Sequence, residues 1–229
     1  MTTLGQAQQR TRIKMCGFTR ETDVLAACAA GADAIGFVLY PPSPRSVSIE
    51  RAAELARLLP AFATPVLLFV NETPERIQAA CAAVPGALLQ FHGDESPEFC
   101  EAMSQRTGRP HLKAARIPLS GAADFDLLEF AFLHQQAQAL LLDAHVDGYG
   151  GGGKTFNWSL LPPNVNAHLV LSGGLTPANV ADGIRALRSR GLSLAVDVSS
   201  GIEAAKGLKD AEKIQQFVAA VRAADADLL

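Results

Sequence analysis

The residues most able to do chemistry sit at two places. The segment ALLLDAHVDGYGGGGKTFNW, residues 139–158, ends an apolar run of strand length in a carboxylate, Asp143, and follows it with Gly150, Gly151, Gly152, Gly153 and Lys154. Glycine loses more backbone freedom on folding than any other residue, so four in a row are retained where a loop must move or let its backbone approach a ligand. An interdomain linker has a similar composition, but strand-then-helix patterns continue on both sides, which favours a ligand-covering active-site loop. Near the start, RIKMCGFT, residues 12–19, puts Lys14 and Cys16 on alternate positions. A thiol with a pKa of about 8.5 acts as a base only when deprotonated, and a neighbouring cation such as Lys14 would lower it. A carboxyl with a pKa of about 3.9 donates a proton at neutral pH only if burial or nearby negative charge raises it. The plainer alternatives are a small buried hydrophobe for Cys16 and a loop-capping carboxylate for Asp143.

Two further stretches point to an anion. LSGGLTP (171–177) and VDVSSGIE (196–203) each place glycine between a strand and a helix-like restart. Exposed backbone N–H groups of Gly173, Gly174, Ser199, Ser200 and Gly201, with the positive ends of the following helices, would cradle a phosphate without a lysine. Turns need glycine anyway; two such turns in succession favour the phosphate.

These groups need a scaffold. Short apolar strands alternate with helical patterns along the chain: Arg12 to Cys16, Ala34 to Tyr40, Pro65 to Val70, Ala87 to Phe91, Leu112 to Arg116, the run ending at Asp143, Leu169 to Ser172 and Leu194 to Ser199. Helices are expected over 20–30, 48–59, from Pro74, from Pro97, 125–136, 157–161, 177–190 and 210–223, with Ser48 as an N-cap and Gly31 as a C-cap. Roughly eight units of about 25 residues predict an α/β fold, a single-domain TIM (β/α)8 barrel over 12–229 preceded by a flexible extension over 1–11. An open doubly wound sheet is the alternative, and eight even units favour closure.

Side chains alternate across a strand. If Ile13, Met15, Leu89 and Phe91 face the helices, then Lys14, Cys16, Gln90, His92, Asp143, Ser172, Asp197 and Ser199 face inward, mostly near the carboxyl ends where barrel active sites open. Gln90 and His92 thereby become candidates to line the mouth, and Asp197 to orient ligand hydroxyls or brace the phosphate loop. His111, His134, His145 and His168 read as packing or surface residues.

Bulk properties narrow the class. In 229 residues, 48% are hydrophobic and 19% charged, enough for a sizeable core. A formal charge of −3 provides no basic footprint for nucleic acid. Cys16, Cys28, Cys81 and Cys100 are widely spaced without a CxxC pair, so neither a zinc site nor a dithiol motif is indicated and reduced thiols are expected. No apolar run reaches membrane-spanning length and MTTLGQAQQRTR lacks a signal-peptide core, so a cytoplasmic protein with no membrane partner is expected.

The sequence resembles the phosphoribosylanthranilate isomerase family of tryptophan biosynthesis. The match runs through Lys14, Cys16, Gly17 and Thr19, GADAIGFVLYPPSPRSV (31–47), FVNE (69–72), QFHGDE (90–95), residues 140–158, LSGGLTPANV and VDVSSGIE, in the family's order. It departs at Gly152, where serine is common, and at Asn157, where aspartate is common. The resemblance implies a metal-free and cofactor-free Amadori rearrangement of N-(5-phosphoribosyl)anthranilate, with Asp143 as general acid, Cys16 as general base, and Arg45 of the PPSPRS loop facing the anthranilate carboxylate. It implies a small phosphorylated substrate; barrels of this size occur as monomers and homodimers, and either is expected. Another phosphosugar barrel, such as indole-glycerol-phosphate synthase, should show a catalytic lysine and extra N-terminal helical structure, for which the lead is too short. A ligand-binding regulator would bind without turnover.

Overall fold

A computed structural model describes residues 10–118, 125–145, 155 and 157–227, the side chain of His145 aside. Eight parallel strands close into a barrel in sequence order, β1 pairing with both β2 and β8. They are β1 (Arg12–Cys16), β2 (Ala34–Val38), β3 (Thr64–Phe69), β4 (Leu88–Phe91), β5 (His111–Pro118), β6 (Ala139–His145), β7 (His168–Leu171) and β8 (Ser193–Val198). The helices are α1 (Glu21–Ala30), α2 (Ile49–Ala56), α3 (Pro74–Ala83), α4 (Pro97–Thr107), α5 (Leu127–Leu133), α6 (Val180–Leu187) and α7 (Ala211–Ala226). Parallel neighbours of this kind are joined by crossover connections rather than tight hairpins.

Local chemistry sets the helix starts. The side chains of Ser48, Thr73, Ser96, Asp126 and Asp210 each accept a hydrogen bond from a first-turn N–H, satisfying groups that a helix cannot pair internally. The expected helices at 125–136 and 177–190 are shorter at both ends than their apolar pattern. Among the described residues between β6 and β7 there is a 3-10 turn at Trp158–Leu160, where Asn157 caps but Pro162 and Pro163 forbid continuation.

The inside–outside parity read from the sequence holds. Ile13, Met15, Phe37, Leu67, Phe69, Leu89, Phe91, Leu142, Leu171 and Val196 join one large core between barrel and helices. Inside, Leu112, Ala114, Ala139, Leu141 and Val170 fill the lower layer, and Cys16, Val38, Leu68 and Val70 form an apolar patch near the mouth. Between them lies a polar layer: Lys14 Nζ donates to Asp197 Oδ1 at 2.6 Å, and Ser172 Oγ donates to Asp197 Oδ2 at 3.2 Å.

Two features escape periodicity. A small antiparallel hairpin, β9 (Glu203–Ala205) and β10 (Leu208–Lys209), lies between β8 and α7. Five residues are too few for a pattern, and the turn is legible only through Gly207, whose φ of +79° suits glycine. At the other end Thr11, assigned from sequence to the extension, is buried, and its N and Oγ1 both donate to the Asp225 carboxylate on α7 at 3.0 and 2.6 Å.

Candidate active site

The strands deliver their polar ends into one cleft at the carboxyl-terminal mouth. Cys16 from β1 and Asp143 from β6 both line it, together with Arg45, Gln90, His92 and Asp197. Gly173 and Gly174 after β7, and Ser199 and Ser200 after β8, complete that wall. Of the residues singled out from sequence, Gly201 stands apart. A Cβ there would lie 1.9 Å from Leu175 O, so its place is to let the two turns touch rather than to line the cleft. The loop at Gly150 to Lys154 lies outside the described residues.

Cys16 is held in a confined, charged setting. It is 4% exposed, and Gly36 on β2 opposite leaves it room: a Cβ at Gly36 would come within 2.6 Å of Sγ. Burial raises the thiol pKa; Lys14 and Lys209 pull it down and Asp197 pushes it up, with burial prevailing. The expectation that Lys14 leaves the thiol lowered is corrected. Lys14 acts in that direction, but it is paired with Asp197, and desolvation outweighs it. Lys14 itself stays cationic: burial opposes its charge, yet Asp197 and the sulfur overcome that and place its pKa above the ordinary value.

Asp143 is held by hydrogen bonds. His92 Nε2 lies 2.9 Å from Asp143 Oδ2, and Gln90 Nε2 lies 2.9 Å from His92 Nδ1. Gln90 and His92 thus form a hydrogen-bonded chain that ends on one oxygen of Asp143. The other oxygen, Oδ1, faces the turn after β7, where a Cβ on Gly173 would come within 2.9 Å of it and within 2.6 Å of Ala144 N. Gly173 also has φ +75° and Gly174 φ +63°, left-handed conformations that favour glycine, and both residues line the cleft. Asn179 braces this turn, accepting from Thr176 N at 2.8 Å and donating to Gly174 O at 3.0 Å.

Arg45 lies over Gly17, where a Cβ would be 2.5 Å from its Cδ. Its guanidinium is held from behind: Nε and Nη2 donate to Glu203 Oε1 and Oε2 at 2.7 and 2.8 Å. Lys209 Nζ, fully buried, donates to the same Oε1 at 2.9 Å and to Ser199 O at 3.0 Å. Sequence reasoning missed both Glu203 and Lys209. Glu203 ends the quoted VDVSSGIE motif but falls beyond the strand whose parity was read, and Lys209 belongs to the hairpin. It also missed the buried Lys113–Glu95 pair at 2.8 Å. Glu95 accepts from Asn71 N and Gly93 N and so fixes the turns after β3 and β4, the latter beginning at His92.

A closed eight-stranded barrel whose mouth presents a thiol, a carboxyl, an arginine and two backbone-rich turns defines an enzyme-like site for a small, multiply anionic ligand. The match to known proteins is then specific: the family model described as N-(5'phosphoribosyl)anthranilate (PRA) isomerase covers residues 13–220, and the chain belongs to that family. The N-(5'-phosphoribosyl)anthranilate isomerase of Methylibium petroleiphilum is 59% identical over 217 residues, covering 95% of this chain and 96% of that protein. The crystal structure of phosphoribosyl anthranilate isomerase from Thermotoga maritima superposes with a TM-score of 0.81 at 40% identity, covering 93% of this chain and 99% of that one. A second solved isomerase, in complex with reduced 1-(o-carboxyphenylamino)-1-deoxyribulose 5-phosphate, gives 0.78 at 37%, with coverages of 93% and 99%. Another structure of the Thermotoga maritima protein, at 36% identity, TM-score 0.75 and coverages of 93% and 99%, describes monomers generated from a dimeric enzyme.

Proposed function

We infer that this chain isomerises N-(5'-phosphoribosyl)anthranilate to 1-(2-carboxyphenylamino)-1-deoxy-D-ribulose 5-phosphate, an aldose–ketose step of tryptophan biosynthesis. The observation that carries this, beside family membership, is that Cys16 and Asp143, from non-adjacent strands, line one cleft with both glycine-bearing turns.

Asp143 gives a proton to the ring oxygen as the C1–O bond breaks, and the anilino nitrogen lone pair forms the C1=N iminium. Cys16, as thiolate, removes the proton from C2. The C2–H electrons become the C1=C2 double bond, and the C=N electrons return to nitrogen. Ketonisation of the enolamine then moves a proton from the C2 hydroxyl to C1 by exchange with solvent. C1 is reduced as C2 is oxidised within one molecule, so the electrons balance without an external acceptor. The iminium places positive charge beside Cys16, offsetting the desolvation that raises the free thiol.

Arg45 takes the anthranilate carboxylate, bidentately through the edge that Glu203 leaves free. Backbone amides at Gly173, Gly174, Ser199 and Ser200 hold the phosphate, with Gly201 keeping the two turns in contact. Gln90, His92 and Asp197 contact the substrate at most through one face, because each is already bonded within the protein. Residues 12–229 form the catalytic domain, in the cytoplasm, as a monomer or homodimer.

The test is turnover of freshly prepared phosphoribosylanthranilate by purified protein, followed as loss of its fluorescence. Steady decay proportional to enzyme concentration is expected; folded protein that leaves the signal at the uncatalysed rate rules the activity out.

A further inference from the structure

Arg45 reaches the cleft with a carboxylate already on its guanidinium. Glu203 occupies the Nε–Nη2 edge, both side chains are less than a tenth exposed, and a one-to-one buried pair of this kind is formally neutral. A neutral pair has little to offer a second carboxylate, since the attraction of the arginine is opposed by the repulsion of the glutamate at nearly the same distance. Lys209 alters this arithmetic. Its ammonium shares Glu203 Oε1 with Arg45, so two cations divide one anion and the buried triad keeps a formal charge of +1.

While Cys16 is a thiol, the surroundings do not cancel that charge; the thiolate, which interacts with both Arg45 and Lys209, would offset it. Lys14 and Asp197 pair with each other, as do Arg20 and Asp23, while Lys213 on α7 donates to the Glu203 carbonyl and adds another cation. Lys209 is fixed as well as charged: its Nζ also donates to Ser199 O, it stands 5.4 Å over the Phe18 ring, and its N–H donates to Asp23 Oδ2. Ser199 and Arg45 line the cleft; Lys209 does not.

We propose that Lys209 is a positioning residue for carboxylate recognition, acting from outside the cleft by sharing Glu203 with Arg45 so that the guanidinium keeps a net positive edge for the ligand's carboxylate. This rests on the reading that Arg45 receives that carboxylate. Glu203 aims the fork, and Lys209 offsets the negative charge that the aiming introduces. Neither need touch the ligand.

Two ligands separate the possibilities: reduced 1-(o-carboxyphenylamino)-1-deoxyribulose 5-phosphate, and the same compound without its carboxyl. Calorimetric Kd values on wild type should favour the carboxylated ligand by roughly ten- to a hundredfold, the range for one charge-assisted bidentate contact. Lys209→Met should cut that preference by about tenfold while moving the Kd of the decarboxylated ligand by less than about twofold; Lys209→Arg, keeping the charge, should restore most of it. Glu203→Gln should move the preference the other way, since removing the negative charge while keeping an amide acceptor leaves two cations facing the ligand. That opposite sign is not expected of a merely structural contact, and it can be read even if Lys209→Met fails to fold. Equal weakening of both ligands in folded Lys209→Met would mean that Lys209 acts on the phosphate turn through Ser199, and would overturn the proposal, as would a Glu203→Gln protein with reduced preference. A wild type that does not distinguish the two ligands would instead remove the assignment of Arg45.

Discussion

The two sides of the cleft hold their reactive groups by different physics. Around Cys16, the means are charge and confinement: the Lys14–Asp197 pair below, the Arg45–Glu203–Lys209 cluster nearby, and a glycine opposite the sulfur. Around Asp143 they are hydrogen bonds: an imidazole on one oxygen, itself fixed by an amide, and a glycine turn facing the other. A base that must lose a proton is assisted by nearby cations whatever their direction, whereas an acid must aim its proton at one atom. Long-range charge suits the first requirement and directional hydrogen bonds the second.

The largest effects should come from removing either group. Cys16→Ala and Asp143→Asn are each expected to lower kcat by about 10²- to 10⁴-fold, the usual worth of a positioned acid or base, with little change in ligand Kd. A Cys16→Ala enzyme that keeps near-normal kcat would show that another group takes the C2 proton and would remove the basis of the contrast.

Next come the two glycines. Gly173→Ala combines a positive φ with a Cβ only 2.6 Å from Ala144 N, so the backbone must shift and carry Asp143 with it. We expect about 1–3 kcal/mol of lost stability and a fall in kcat that reflects a misdirected acid. Gly36→Ala crowds Sγ at 2.6 Å and Cys16 Cα at 3.1 Å; it should displace the sulfur and lower kcat by about tenfold, since a base works only within hydrogen-bonding reach of its proton. Because charge stabilisation tolerates displacement better than a directed hydrogen bond, Gly173→Ala should cost more kcat than Gly36→Ala. The reverse order, measured in folded variants, would contradict the assignment of directional control to the carboxylate side.

Smaller still is the effect of one charge on the thiol. Burial raises the Cys16 pKa and Lys14 is the strongest charge opposing it, so the alkaline rise of kcat/KM should sit above the ordinary cysteine range. Lys14→Met should move it further up and leave Asp197 without its cation; Lys14→Met with Asp197→Asn should move it less. An unmoved profile in the single variant would show that Lys14 does not act on the sulfur.

Much of this site was legible because strand parity is strict. Lys14 and Cys16, Gln90 and His92, Asp143 and Asp197 were placed inward by alternation alone, and all but Lys14, which pairs below, line the cleft. Arg45 sits on an irregular loop where no period applies, and only the family motif singled it out. Glu203, Lys209 and Glu95 were not legible, because a buried charge in a short turn looks the same in sequence as a solvated one. Their role depends on partners 158, 6 and 18 residues away. The raised state of the Cys16 thiol was missed for a related reason. Sequence places a lysine beside it but shows neither the depth of burial nor the aspartate that shares that lysine.

Acidification should separate two other parts of the barrel, the base near His134, between α5 and β5, softening before the charged cluster beside Cys16. His134 packs on Phe130 at 4.5 Å and lies close to the β5 side of the barrel; burial, then the charges of Lys113 and His111, lower its pKa to about 4. In the unfolded chain an imidazole takes up a proton as pH falls through about 6.5, but folded His134 does not until about 4. Across that window the unfolded state binds more protons, so stability drops with pH, by up to about 3 kcal/mol. Glu203 behaves differently. Burial would raise its pKa, but hydrogen bonds and charge from Arg45 and Lys209 hold it below the ordinary carboxylate value. The stability it supplies is therefore intact above the unfolded carboxylate range and is lost only as pH falls from there through its folded value. Urea titrations from pH 7 to 3 should show His134→Gln flattening the slope between about 6.5 and 4, and Glu203→Gln changing it only below about 4.5. If Glu203→Gln altered the slope near pH 6 instead, the charged cluster beside Cys16 would be the part of the barrel that yields first.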